Sequence, residues 1–223
     1  MIQEINTQPV GAVLYLFGTA LMPVVYAAKY FSWWLGSRGL ALSYDLESQV
    51  TSSLLLGMNR EAQGQFEVRL EAKADIFSQY MVIPLVPCEM LAVRHQKVIH
   101  VSTKRLLALE MDIGVNDYTY THSESRPELT DVDFSRIIKG LNGELSRLAN
   151  YGNWVSSNII LLKDISGEKS LQMSPSSNIS DSMAEKSSVA LREQAEYVLG
   201  WNTNMLARIL CQQKICQGQI QTI

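Results

Sequence analysis

Cysteine is scarce in this chain: Cys88, Cys211 and Cys216 are the only three in 223 residues. An odd, sparse set argues against a disulfide framework and suits a reducing compartment. Cys211 and Cys216 stand five apart, not at the two-residue gap of a redox or zinc pair, and read as buried small hydrophobes. No acidic or basic tail occurs. The net charge of −3 and the isoelectric point of about 5.7 speak against a dedicated nucleic-acid binder. The sequence also lacks a phosphate-cradling glycine loop, a dinucleotide fingerprint and a nucleophile elbow. Cys88, His95 and His100 share one predicted helix at spacings of seven and five, whereas a zinc pair on a helix face needs i,i+4. His122 falls in a polar loop. No residue is therefore assigned as catalytic, cofactor-binding or metal-ligating; whether the chain is an enzyme stays open, and the reading leans against it.

Charge is missing from the N-terminus as well: no Asp, Glu, Lys, Arg or His lies between Glu4 and Lys29. Residues 10–28 are about long enough to cross a hydrocarbon core, and Tyr30, Phe31, Trp33 and Trp34 suit a membrane interface. Lys29 and Arg38 follow, which favours a cytoplasmic location for the helical part. Three readings stay open for residues 1–36. They are a membrane anchor acting through residues 10–34, a buried helix or strand pair of a soluble cytoplasmic protein, and a cleaved signal ending near Val25-Tyr26-Ala27.

Residues 37–60 change character. Leu40, Leu42, Tyr44 and Leu46 alternate with small or polar residues, and 51–56 is a second candidate strand, so a short β-hairpin is predicted with its turn at 45–49. Residues 61–216 then read as a helical bundle. One helix runs from Glu61 to Tyr80 with Phe66, Leu70, Ala74 and Phe77 on one face. Pro84 and Pro87 end it. The next helix spans Cys88 to Ile113, with Leu91, Val98, Val101, Leu106, Leu109 and Ile113 as its apolar positions, and Gly114 stops it. Residues 115–129 are a loop.

The strongest signal follows. Phe134, Ile138, Leu141, Leu145, Leu148, Gly152, Val155, Ile159 and Leu162 step four, three, four, three. Such a seven-residue repeat predicts a long helix, from a Thr130 cap to about Asp164, that buries one stripe against another helix. A Ser-rich linker at 167–188 leads to a last helix over 183–216. Its seam is Leu191, Ala195, Val198, Asn202, Met205, Ile209, Gln212 and Cys216. The two helices are expected to pair as an antiparallel hairpin. Gly152 marks either close helix approach or a weak point. The last helix ends close to Ile223 with no closing element, so a longer relative is expected to continue past it.

Two surface features carry possible binding. Arg94, Lys97, Lys104 and Arg105, with His95 and His100 among them, form a stretch with no acid between Glu89 and Glu110; it reads as a phosphate or anionic-lipid contact or as a solvated face. Asn178-Ile179-Ser180 is a glycosylation sequon that only a secretory lumen would use.

Residues 81–90 (MVIPLVPCEM), 106–115 (LLALEMDIGV) and 133–165 together resemble uncharacterised fungal proteins whose helical region is like that of CorA-like metal-ion transporters. The resemblance covers about residues 38–216 and implies a mainly α fold with a long helical hairpin. The transporters' Gly-Met-Asn signature ends their first membrane helix near the C-terminus. Here Gly57-Met58-Asn59 precedes the helical region, and no C-terminal pair of membrane spans follows. Metal transport and its site residues therefore do not carry over. The functional expectation is a non-catalytic helical scaffold, membrane-associated at its N-terminus, with partners met through the helix seams. The alternatives are a truncated CorA-like relative and an enzyme whose site has no local signature.

Overall fold

The computed structural model describes residues 15–17, 24–32, 36–44, 50–76, 79–113, 133–167 and 181–222. The chain is mainly helical, with an antiparallel sheet at its N-terminal end. Strands β1 (Tyr15–Phe17), β2 (Val24–Ser32), β3 (Gly36–Tyr44) and β4 (Thr51–Leu56) pair in sequence order. The predicted hairpin is β3–β4, with Leu40 opposite Leu55 and Leu42 opposite Ser53. Leu40 and Leu42 are buried while Ala41 between them is exposed, the alternation that a half-covered strand requires.

The sequence leaves three readings open for residues 1–36; within 10–28 the described residues, 15–17 and 24–28, are strands, and β2 pairs with β3 along nine positions from Val24–Tyr44 to Ser32–Gly36. Val24, Val25, Tyr26, Tyr30 and Phe31 are β-branched or aromatic residues that fit a pleated surface, and Pro23 disfavours a helix through this point. The rest of 10–34 lies outside the described residues. Among the described residues, no helix is long and apolar enough to cross a membrane.

Gly57 takes a φ of 75°, a left-handed conformation that glycine adopts without steric cost. Two residues later Asn59 caps α1 (Arg60–Glu71), its Oδ1 accepting the Ala62 N–H at 2.8 Å. Gly57-Met58-Asn59 is thus the joint between sheet and helix. The first helix stops at Glu71 rather than Tyr80, and a single 3-10 turn follows at Ala74–Ile76. Glu67, Glu71 and Asp75, four apart, repel along the face that a longer helix would need.

Helix α2 (Val82–Ile113) begins six residues before the predicted Cys88. Pro84 sits in its first turn, where a missing N–H costs nothing, but Pro87 lies inside. Residues 81–88 are all buried, so packing outweighs the local penalty. Helix α3 (Phe134–Ser166) is capped by Asp133, whose Oδ1 accepts the Arg136 N–H at 3.0 Å. The predicted cap, Thr130, lies outside the described residues, as does the loop 115–129. Helix α4 (Asp181–Thr222) starts earlier and ends later than predicted. Asp181 and Ser182, read only as linker, are helix, as are residues 183–188, where the linker and helix readings overlap, and the Ser187 Oγ donates to the Asp75 carbonyl at 3.1 Å. This tertiary contact offsets weak helix propensity in the serines.

The chain divides into two compact units. One comprises residues 1–92 and 154–203 and holds the sheet, α1, and parts of α2, α3 and α4. Its core includes Leu40, Leu42, Phe66, Leu85, Val155, Leu162 and Leu191. The other comprises residues 93–153 and 204–223, and its described part is three helix segments. Within it Ser102 meets Glu144 and Asp112 meets Arg136, so α3 runs antiparallel to α2. Thr103 meets Gln212 and Glu110 meets Gln219, so α4 runs parallel to α2. The long helices pack on one another as the heptads require.

The α4 seam lies where predicted: all eight of its positions are buried. The α3 seam is half right. Leu141, Leu148, Val155 and Leu162 are buried, but the companion line lies three residues on, at Ile137, Glu144, Asn158 and Ile165, not four. Ile138, Leu145, Gly152 and Ile159 are only half-buried. On α2 the buried line is Leu85, Cys88, Ala92, His95, Ile99, Ser102 and Leu106, whereas the predicted Val101 is 45% exposed.

Candidate functional site

Most of the buried polar side chains among the described residues lie in the helix seams, and each unit has a polar layer there. In the first unit, α3 brings Asn158 against α4. Its Nδ2 donates to the Asn202 Oδ1 at 3.2 Å and to the Cys88 carbonyl at 3.1 Å, and the Asn202 Nδ2 donates to the Val198 carbonyl at 2.8 Å. Both asparagines are almost inaccessible to water. The Asn158 Oδ1 has no hydrogen-bond partner, a cost of about 1–3 kcal/mol that the two donated bonds offset. Nearby in the fold, the Lys73 Nζ donates to Glu89 at 2.8 Å and to Gln194. That pair ties the segment after α1 to α2 and α4.

In the second unit the layer is charged. The Glu144 side chain is only 3% exposed. The Ser102 Oγ donates to its Oε2 at 2.9 Å, Arg147 donates to its Oε1, and the Arg105 Nη1 lies 3.6 Å away. Two guanidiniums and a hydroxyl therefore surround one carboxylate, the condition under which a buried charge is tolerated. Cys216 is buried in the same unit. Burial first, then the Glu144 and Glu110 carboxylates, push its thiol up to about 11. It is a protonated, inert thiol at neutral pH rather than a nucleophile.

The residues singled out by sequence are not brought together as a ligand set. Cys88 is buried in the first unit and His95 in the second, while His100 and Cys211 are exposed. His95 is lowered to about 4 by burial and by the Arg94 charge, so its ring is neutral. His122 and the Asn178 sequon lie outside the described residues. Among the described residues, no group of three or more His, Cys, Asp or Glu could hold a metal ion.

No family model matches the chain. No curated protein and no solved structure matches it either.

Glu144 and Asn158 are the residues that sequence reasoning missed. A signal did exist: each follows a seam leucine or valine by three residues, the inward position of a heptad. The apolar line one residue further on masked it. Chemically, both layers are hydrogen-bond networks between helices, and the bonds they make fix helix alignment.

Proposed function

We propose that this chain is a non-catalytic helical scaffold that binds partners through the outward faces of its long helices. The observation that carries the reading is the inward use of the buried polar groups. Glu144, Ser102, Asn158, Asn202 and Gln212 all bond to protein atoms within their own unit. The buried Cys216 and His95 are both uncharged at neutral pH. An active site instead keeps perturbed groups in a cleft, oriented toward a reacting atom. Large apolar side chains remain exposed on the helices: Ile160, Val189 and Tyr197 in one unit, Leu107 and Leu210 in the other. Such residues suit contacts with other molecules.

Ligand-dependent melting tests the proposal. A molecule that binds the folded state must raise the unfolding midpoint. For a scaffold, the midpoint should stay unchanged with Mg²⁺ and with nucleotides, phosphosugars and common organic cofactors. A saturable rise with Mg²⁺ would replace this reading with the CorA-like one, and a rise with an organic ligand would point to an enzyme.

A further inference from the structure

The buried line of α2 leaves the opposite face of the helix outward, and that face has its own pattern. Val93, Lys97, His100, Lys104, Leu107 and Met111 step four, three, four, three, four. Lys97, His100 and Lys104 are exposed, as are Leu107 at 40%, Met111 at 41% and the flanking Val101 at 45%. The stripe is about 27 Å long at 1.5 Å per residue. It lies wholly within one unit.

The charge around it is one-sided. The described residues of this unit carry nine Lys or Arg against four acids, Glu110, Asp112, Asp133 and Glu144. All four acids are engaged: with Gln219, with Arg136, at the α3 cap, and in the buried layer. Residues 114–132 add four acids and one base, so the unit stays net positive in a chain whose total is −3.

We infer that this α2 face lies against an anionic lipid surface, its lysines at the phosphate level and Val101, Leu107 and Met111 in the headgroup–acyl boundary. The inference deepens the scaffold reading and rests on it. An apolar protein seam is the poorer occupant, because it would bury the charges of Lys97 and Lys104 without counter-charge. At a lipid interface the lysine stems lie along apolar surface while the ammoniums stay solvated beside phosphates. A second copy of the same stripe is excluded on the same ground, since Lys would meet Lys.

Co-sedimentation of the full chain with vesicles tests this. One set is phosphatidylcholine alone; the other contains a large fraction of phosphatidylserine. Binding through 10–34 would appear with both, so the phosphatidylserine-dependent part is the readout. Lys97→Glu with Lys104→Glu should lower that part by at least about tenfold. Leu107→Gln with Met111→Gln should lower it too, and added salt should weaken it. The same charge change at the exposed Lys163 and Lys186 should leave it in place. Circular dichroism matching the wild type shows that each variant is folded. Equal binding to both vesicle types, or an equal loss in the Lys163/Lys186 pair, overturns the inference. So does binding of a synthetic acidic amphipathic helix to this face in place of lipid. None of these outcomes touches the scaffold reading, which ligand-dependent melting decides.

Discussion

His95 shows how burial sets the behaviour of a single residue. Its ring takes a proton near 6.5 in an unfolded chain, but in the fold only near 4. As pH falls, the unfolded state is therefore protonated first. The stability tied to the neutral ring is complete above pH 6.5 and is lost on the way down to 4, roughly 3 kcal/mol over that window. His95→Gln removes the titration. Urea unfolding of the variant should lose less stability than the wild type between neutral pH and pH 4; equal losses would show that His95 is not the group responsible. The sequence did not reveal this burial. His95 stands between Arg94 and Gln96, and two of its buried neighbours along the helix, Ala92 and Ser102, are too small or too polar to mark a face.

At the level of the element, the Asn158–Asn202 pair decides what the seam tolerates. Asn202→Leu removes the acceptor for the Asn158 amide and strands a buried donor bond, for about 1–3 kcal/mol. Asn158→Leu strands the partner likewise. Changing both removes the polar atoms together, so the double variant should cost clearly less than the sum of the two singles. A urea-unfolding cycle measures the coupling, and simple additivity would show that the two amides act independently. The α4 seam was legible because its apolar residues mark six of eight positions and the spacing carries the other two. On α3 the apolar residues define two candidate companion lines, and burial followed the more polar one, where Glu144 and Asn158 find partners. The starts of α2 and α4 were not legible. Contacts distant in sequence, such as Ser187 with the Asp75 carbonyl, extend helices through proline and serine that local rules would exclude.

For the chain as a whole, the mainly helical class and the β3–β4 hairpin were legible because period and alternation are local properties. Which residues of 10–34 pair as strands was not, since that depends on β3 lying beside them. Helical glycines offer a global test. A methyl at Gly64, Gly200 or Gly218 would meet nothing within 4 Å. Each change to alanine should gain up to about 1 kcal/mol of helix propensity, and such unconnected sites should add. The triple variant should therefore melt several degrees higher, by about 2–3 kcal/mol in all. An unchanged or lower midpoint would mean that these glycines make contacts the fold needs. Gly140 is left out because a methyl there would come within 2.9 Å of a Leu109 methyl. Gly152 would place one at 3.6 Å from Ile209, an ordinary contact, so it marks a weak point in the helix rather than a close crossing.

A heptad repeat is a ruler without numerals: slide one helix by seven residues and leucine meets leucine again. Asn158–Asn202 and Glu144–Ser102 supply the numerals. A slip of one heptad on α3 would bring Tyr151 to the place of either residue. It would leave an amide in one unit, or a carboxylate in the other, without its match. The polar residues are thus what allows an otherwise repetitive set of helices to have a single address for each side chain.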